Sequence, residues 1–212
     1  MPEVCGVIYG TLIATVSPLI RSEKFPARVC RTRKGFTGLN VLVVSDSDGK
    51  FSYVNACFPG AYHDSSIFRT SLARLRLVNE FERTGRTRGV LVGDQGFALE
   101  PWPFPPLARS VLTRDEVEYN RCHKHVRMTV ENAVGRLKTV FRCLLKDRIL
   151  HYHPTFAGSI VNAAATLHNF RIKHRVQDPD SYEGDSDGES EVDWKLMTTV
   201  TEVFHQEIQS VM

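Results

Sequence analysis

Apolar residues follow two rhythms along this chain. Short runs rich in β-branched and aromatic residues stand at 4–8, 39–44 and 51–57, and such runs predict strands. The second and third flank Asp46-Ser47-Asp48-Gly49. Asp-Gly between two such runs predicts a hairpin, because glycine takes the left-handed backbone of a tight turn without steric cost. Pro59-Gly60 then breaks the chain. From 63 to 82 the rhythm becomes helical, with Ile67, Phe68, Leu72, Leu75, Leu77 and Val78 as its apolar positions and Asp64 or Ser65 as N-cap. Residues 89–93 are a short apolar run ending at Asp94, which predicts a buried central strand. The proline-rich stretch 101–106 predicts an extended loop. Two helices follow. One covers 115–145, at some cost for Gly135; the other covers 154–173, with Phe156, Ile160, Ala164 and Leu167 on one face.

The order is strand, hairpin, helix, strand, helices, with no internal repeat. That is the layout of an RNase H-like α/β core, a mixed sheet of hairpin plus central strand flanked by helices, although other α/β folds share the pattern. At 212 residues the length suits one main domain with a sizeable core.

Composition excludes several classes. The uncharged stretch 4–20 carries Gly, Thr, Ser and Pro and lacks a basic leader, so it reads as neither signal peptide nor membrane span. Five cysteines are odd in number and form no CxxC pair, which speaks against a disulfide scaffold. The pairs His123/His125 and His151/His153 with Cys122 and Cys143 offer no four-ligand zinc spacing. No GxSxG, Walker loop or dinucleotide glycine motif is present.

The net charge of +3 conceals a divided chain: residues 1–176 sum to +12 and residues 177–212 to −9. A basic body suits a polyanion, nucleic acid being the commonest, or is simply a solvated surface. A long basic segment covers 121–148, with eight Lys and Arg against Glu131 and Asp147. Within it Arg127, Glu131 and Lys138 share one helix face, and Arg136 and Arg142 add to the basic set. Residues 177–193 hold eight acidic residues and no basic one, which predicts a disordered linker. Residues 194–212 could form a short helix with Leu196, Val200, Val203 and Phe204 roughly on one face. This tail could solubilise the chain, screen the basic body or dock a partner.

Three carboxylates stand where such a fold would gather them: Asp64 at a helix start, Asp94 at the end of the central strand and Glu131 on the long helix. Hard oxygen ligands at one sheet edge suit Mg²⁺ or Mn²⁺ and the cleavage of a phosphodiester. Each acid also has a plainer role. Asp64 could cap a helix, Asp94 could close a turn with Gly96, and Glu131 could pair with Arg127 one turn away.

The blocks GVIYGT (6–11), RKGFTGLNVLVVSDSDGKF (33–51), FPGAYHDSSIF (58–68), GVLVGDQGF (89–97), VENAVGRLKTVFR (130–142) and NAAATLHNF (162–170) closely resemble the PIF/Harbinger DDE transposases and the nucleases derived from them. The match runs in order from about residue 4 to 174. The resemblance implies an RNase H-like core over 1–176 and Mg²⁺- or Mn²⁺-dependent phosphodiester chemistry on DNA. It implies Asp64, Asp94 and Glu131 as catalytic and metal-binding acids. It also implies Arg127, Arg136, Lys138 and Arg142 as nucleic-acid contacts, a separate Myb-like DNA-binding partner, and work in the nucleus.

Two departures qualify the resemblance. The family's first catalytic Asp closes a GxxDGTH-like block at the end of the first strand; here that position is Tyr9, and Leu12 replaces the His. A phenol titrating near 10 does not bridge cations at neutral pH, so impaired chemistry is expected, with a DNA- or protein-binding module as the alternative. The family also places a helix-turn-helix region before the core, whereas this chain starts at the first strand. Autonomous transposition is therefore not expected.

Overall fold

The computed structural model describes residues 3–18, 25–85, 89–97 and 102–179. β1 (Glu3–Ala14) is followed by a short α1 (Ala27–Cys30), then β2 (Gly38–Ser45) and β3 (Phe51–Pro59). Next come α2 (Asp64–Arg69), α3 (Leu72–Thr84), β4 (Gly89–Val92), β5 (Pro103–Phe104), α4 (Arg114–Val140) and α5 (Pro154–Lys173). The strands form one mixed sheet in the order β3-β2-β1-β4-β5. The first three are antiparallel and β1, β4 and β5 run parallel. This is the expected RNase H-like arrangement.

The Asp-Gly hairpin forms as expected. Gly49 takes φ +77°, and the Asp46 carboxylate accepts the amides of Asp48 and Lys50. Every residue of β2 is buried, as is every residue of β4, because helices cover both faces of the sheet. Val7, Ile13, Leu39, Val41 and Val43 face α4 and α5. Ile8, Leu42, Val44 and Leu91 face α2 and α3 together with Phe68, Phe97 and Trp102.

Several expectations are corrected. β1 runs on to Ala14, so Tyr9 lies mid-strand rather than at a strand end. The helix expected over 63–82 is two helices: Ser71 accepts the Arg74 amide and starts α3 afresh, which leaves Leu72 and Leu75 exposed. His63, not Asp64 or Ser65, is the cap residue of α2. The proline loop contains the two-residue β5. α4 starts from a capping box of Thr113 and Glu116 and stops at Val140, short of 145. α5 covers 154–173 as expected, but Phe156 and Leu167 are exposed. Its buried stripe is Ala157, Gly158, Val161, Ala164 and Ala165, and a Cβ at Gly158 would collide with the Ala56 carbonyl of β3. Close approach selected the small residues and turned the large ones outward. The expected linker and terminal helix lie outside the described residues beyond 179. Asp178, near the start of that stretch, is placed against α4 and α5 by ion pairs to Arg136 (2.9 Å) and Arg171 (3.4 Å).

Candidate active site

The sheet has a gap in one flank of β1. β4 pairs with β1 only as far as Val92 opposite Val7, and the next bridge on that side joins Thr15 to Leu150. Among the described residues, the stretch from Tyr9 to Leu12 has no strand partner there. In a parallel sheet, ligands gather beyond the carboxyl ends of strands, and the functional candidates collect at this gap.

His123 of α4 fixes its upper border. It is 2% exposed, and its Nε2–H donates to the Gly93 carbonyl at 2.8 Å, with the Phe104 carbonyl at 3.2 Å. Burial holds the imidazole below its ordinary pKa, so it is neutral and ties the ends of β4 and β5 to the helix. Asp94 follows just beyond the end of β4. Its Oδ1 accepts the Gly96 amide at 2.9 Å and its carbonyl accepts the Phe97 amide. The turn-closing role is therefore realised, with the carboxylate only partly buried.

One turn along α4 from His123, Arg127 ion-pairs with Glu131 at 2.9 Å, and its guanidinium lies 5.9 Å from the centre of the Tyr9 ring. Tyr9 is half-buried. Burial first, then the negative charges of Glu131 and Asp64, push its phenol above the ordinary value of 10, with Arg127 and Arg33 pulling the other way. The phenol is therefore neutral at physiological pH and stands among both acids and both guanidiniums. Farther along the helix, Lys138 Nζ donates to Thr11 Oγ1 (2.8 Å) and the Leu12 carbonyl (3.2 Å). Burial, and secondarily the charge of Lys34, lowers its pKa to about 8. Arg136 is paired with Asp178, and Arg142 is exposed just past the helix end.

Asp64 reaches the gap from the opposite face of the sheet. Its Oδ1 accepts the Asn40 amide at 2.6 Å, and the same amide also donates to the Tyr62 carbonyl. The carboxylate lies against Gly10, where any Cβ would coincide with it. A glycine beside Tyr9 is thus required by close approach. Sequence reasoning missed both Gly10 and Asn40, although Asn40 is a polar residue inside an apolar strand, and that was its signal.

The structure thus brings Asp64 and Glu131 within electrostatic reach of Tyr9, while Asp94, just past the end of β4, is not among the charges that act on it. Among the described residues no three of His, Cys, Asp and Glu stand together as a ligand set. The residue at the gap on β1 is a tyrosine, an arginine holds Glu131 and an asparagine holds Asp64. As arranged, these residues do not fit a pair of bridged cations.

The family model described as "DDE superfamily endonuclease" matches residues 11–169. The chain belongs to the DDE superfamily endonucleases. Among curated relatives, "Putative nuclease HARBI1" of Mus musculus is 31% identical over 175 residues, which is 82% of this chain and 47% of that protein. The Homo sapiens protein of the same name is 30% identical over the same shares. "Protein ALP1-like" of Arabidopsis thaliana is 26% identical over 68% of this chain and 37% of its own length. The chain spans about half the length of the nuclease relatives it matches. No solved structure matches it. The DDE endonucleases as a class draw on divalent metals, which makes the misfit at Tyr9 the notable feature of this member. Among the described residues no helix is long and apolar enough to cross a membrane.

Proposed function

We propose that this chain is a transposase-derived, nuclease-type domain that engages DNA phosphodiesters and whose cleavage chemistry is impaired at Tyr9. The observation that carries the reading is the neutral phenol of Tyr9, held between Glu131 and Asp64 with Arg127 over its ring. In the family reading, Asp64, Asp94 and Glu131 are the catalytic and metal-binding acids, and Mg²⁺ or Mn²⁺ would supply charge stabilisation at the attacked phosphate. Here the Arg127–Glu131 pair fills part of that electrostatic role and leaves Glu131 less available.

What the chain's own residues do is bind and orient. Arg142, and Arg136 when released from Asp178, can meet backbone phosphates beside the gap. Lys138 braces α4 against Thr11 and Leu12. The resemblance alone supports a nuclear location and a Myb-like partner that supplies sequence-specific binding.

Nicking of supercoiled plasmid in Mn²⁺ tests the reading on the full chain, comparing native, Tyr9→Asp, and Tyr9→Asp with Glu131→Gln. The expected result is nicking by Tyr9→Asp alone. Native nicking that Glu131→Gln abolishes would overturn the impairment. Silence of folded Tyr9→Asp would overturn the idea that one substitution silences an otherwise intact site.

A further inference from the structure

A second feature adjoins the gap on the Asp64 side. A cavity of about 430 Å³ is lined by Arg28, Arg31, Arg33, Asn40, His63 and Asp64, with Gly10 at its inner wall. Three guanidiniums thus share one cavity with one carboxylate, and that carboxylate is already held by Asn40. Among the described residues none of the three arginines forms an ion pair, in contrast to Arg127, Arg136 and Arg171, which all do.

The three arginines stand on a built corner. Arg28 belongs to α1, which is pinned when the Ala61 amide donates to the Val29 carbonyl at 3.0 Å. Arg31 pairs with Thr37 in an antiparallel bridge. Between them the chain turns tightly. Thr32 bonds Phe36 through both its amide (2.8 Å) and its hydroxyl (2.9 Å), and Gly35 takes φ +82°. Gly60 backs the corner, where a Cβ would press on the carbonyls of Gly38 and Cys30. Arg33 also reaches far enough to act on Tyr9, so the cavity and the gap are electrostatically continuous.

Guanidinium forks match the geometry of phosphate oxygens, and cations mounted on a fixed corner lose little freedom when they bind. We propose that Arg28, Arg31 and Arg33 form a phosphate clamp that seats a DNA strand in this cavity and directs it across Asp64 toward Tyr9. This assigns the substrate-positioning surface to the α1–β2 corner as well as to α4. It rests on the DNA reading above but not on cleavage.

The test is binding of a labelled DNA duplex to the full chain in EDTA, followed by fluorescence anisotropy from about 50 to about 200 mM salt. The triple variant Arg28→Gln, Arg31→Gln, Arg33→Gln is compared with Arg69→Gln, Arg76→Gln, Arg83→Gln, which removes equal charge from exposed positions of α2 and α3. Matching thermal melts establish that both variants fold. The clamp variant should lose about tenfold or more in affinity at the lowest salt. Its salt slope should flatten by about 0.9 for each phosphate no longer neutralised, while the control changes about threefold at most. Equal losses in the two variants, or no binding by the native chain, would overturn the clamp. So would stronger displacement of the DNA by poly-glutamate than by unlabelled DNA, in favour of an acidic protein partner. Because no metal is present, a failure of the nicking experiment leaves this outcome untouched.

Discussion

Two sets of cations border the same gap, and they differ in how they are held. On α4, Arg127 is spent on Glu131, Arg136 on Asp178, and Lys138 on Thr11 and the Leu12 carbonyl. At the α1–β2 corner, Arg28, Arg31 and Arg33 line an open cavity without an ion-pair partner among the described residues. In sequence both segments are basic: 28–34 holds four Lys and Arg in seven residues, and 121–148 eight in twenty-eight. Charge density along a chain therefore locates cations but does not say whether they are already engaged. A cation facing the molecule's own carboxylates builds the site, and one facing solvent on a rigid corner is left to bind.

The largest effect is expected at Gly10, the residue between the two regions. Gly10→Ala must drive the new Cβ into the Asp64 carboxylate, displacing it from Asn40. Overpacking of this kind costs about 1–3 kcal/mol, so the thermal midpoint should fall by several degrees. An unchanged midpoint would show that Asp64 moves aside freely and that its hold on the cavity wall is loose.

A smaller effect separates Lys138, as a brace, from the cations left to bind. Its pKa in the folded chain is about 8, against an ordinary 10.5. Between those values the unfolded chain holds the proton that the folded chain has released. Stability therefore rises with pH across that window and is flat below it. The native chain should gain on Lys138→Met by about 2 kcal/mol between about pH 7.5 and about pH 10, read by urea unfolding. Identical pH profiles for the two proteins would mean that the ammonium is solvated, and would return Lys138 to the pool of free cations.

Much of the fold was legible because the strong signals were local. The runs 39–44, 51–57 and 89–93 became β2, β3 and β4, and Pro154 marked the start of α5. What failed involved packing distance. Phe156 and Leu167 looked like the buried face of α5, yet Gly158 and the alanines took that face because the helix lies directly on the Ala56 carbonyl. The break at Ser71 was missed because apolar residues continue through it, although a serine that caps the next helix was there to be read. At the site, the three acids were legible by type and place, and so was Tyr9. Of the three plainer roles, two are realised: Glu131 pairs with Arg127 and Asp94 closes its turn; the cap role read for Asp64 falls to His63 instead. Asn40 left only the signal of a polar residue in an apolar strand, and the roles of Gly10 and the clamp arginines left none. Their roles depend on which residues of β1, β2 and α2 meet across the sheet, and no local pattern encodes that.

On the proposed reading, Tyr9 and the Arg127–Glu131 pair keep the gap from holding a divalent cation, and the proposed impairment of cleavage rests on this. Manganese binding followed by electron paramagnetic resonance addresses it directly, without requiring turnover. The expected result is no stoichiometric Mn²⁺ site in the native chain, one in Tyr9→Asp, and its loss when Glu131→Gln is added. Stoichiometric Mn²⁺ on the native chain, abolished by Glu131→Gln alone, would contradict it.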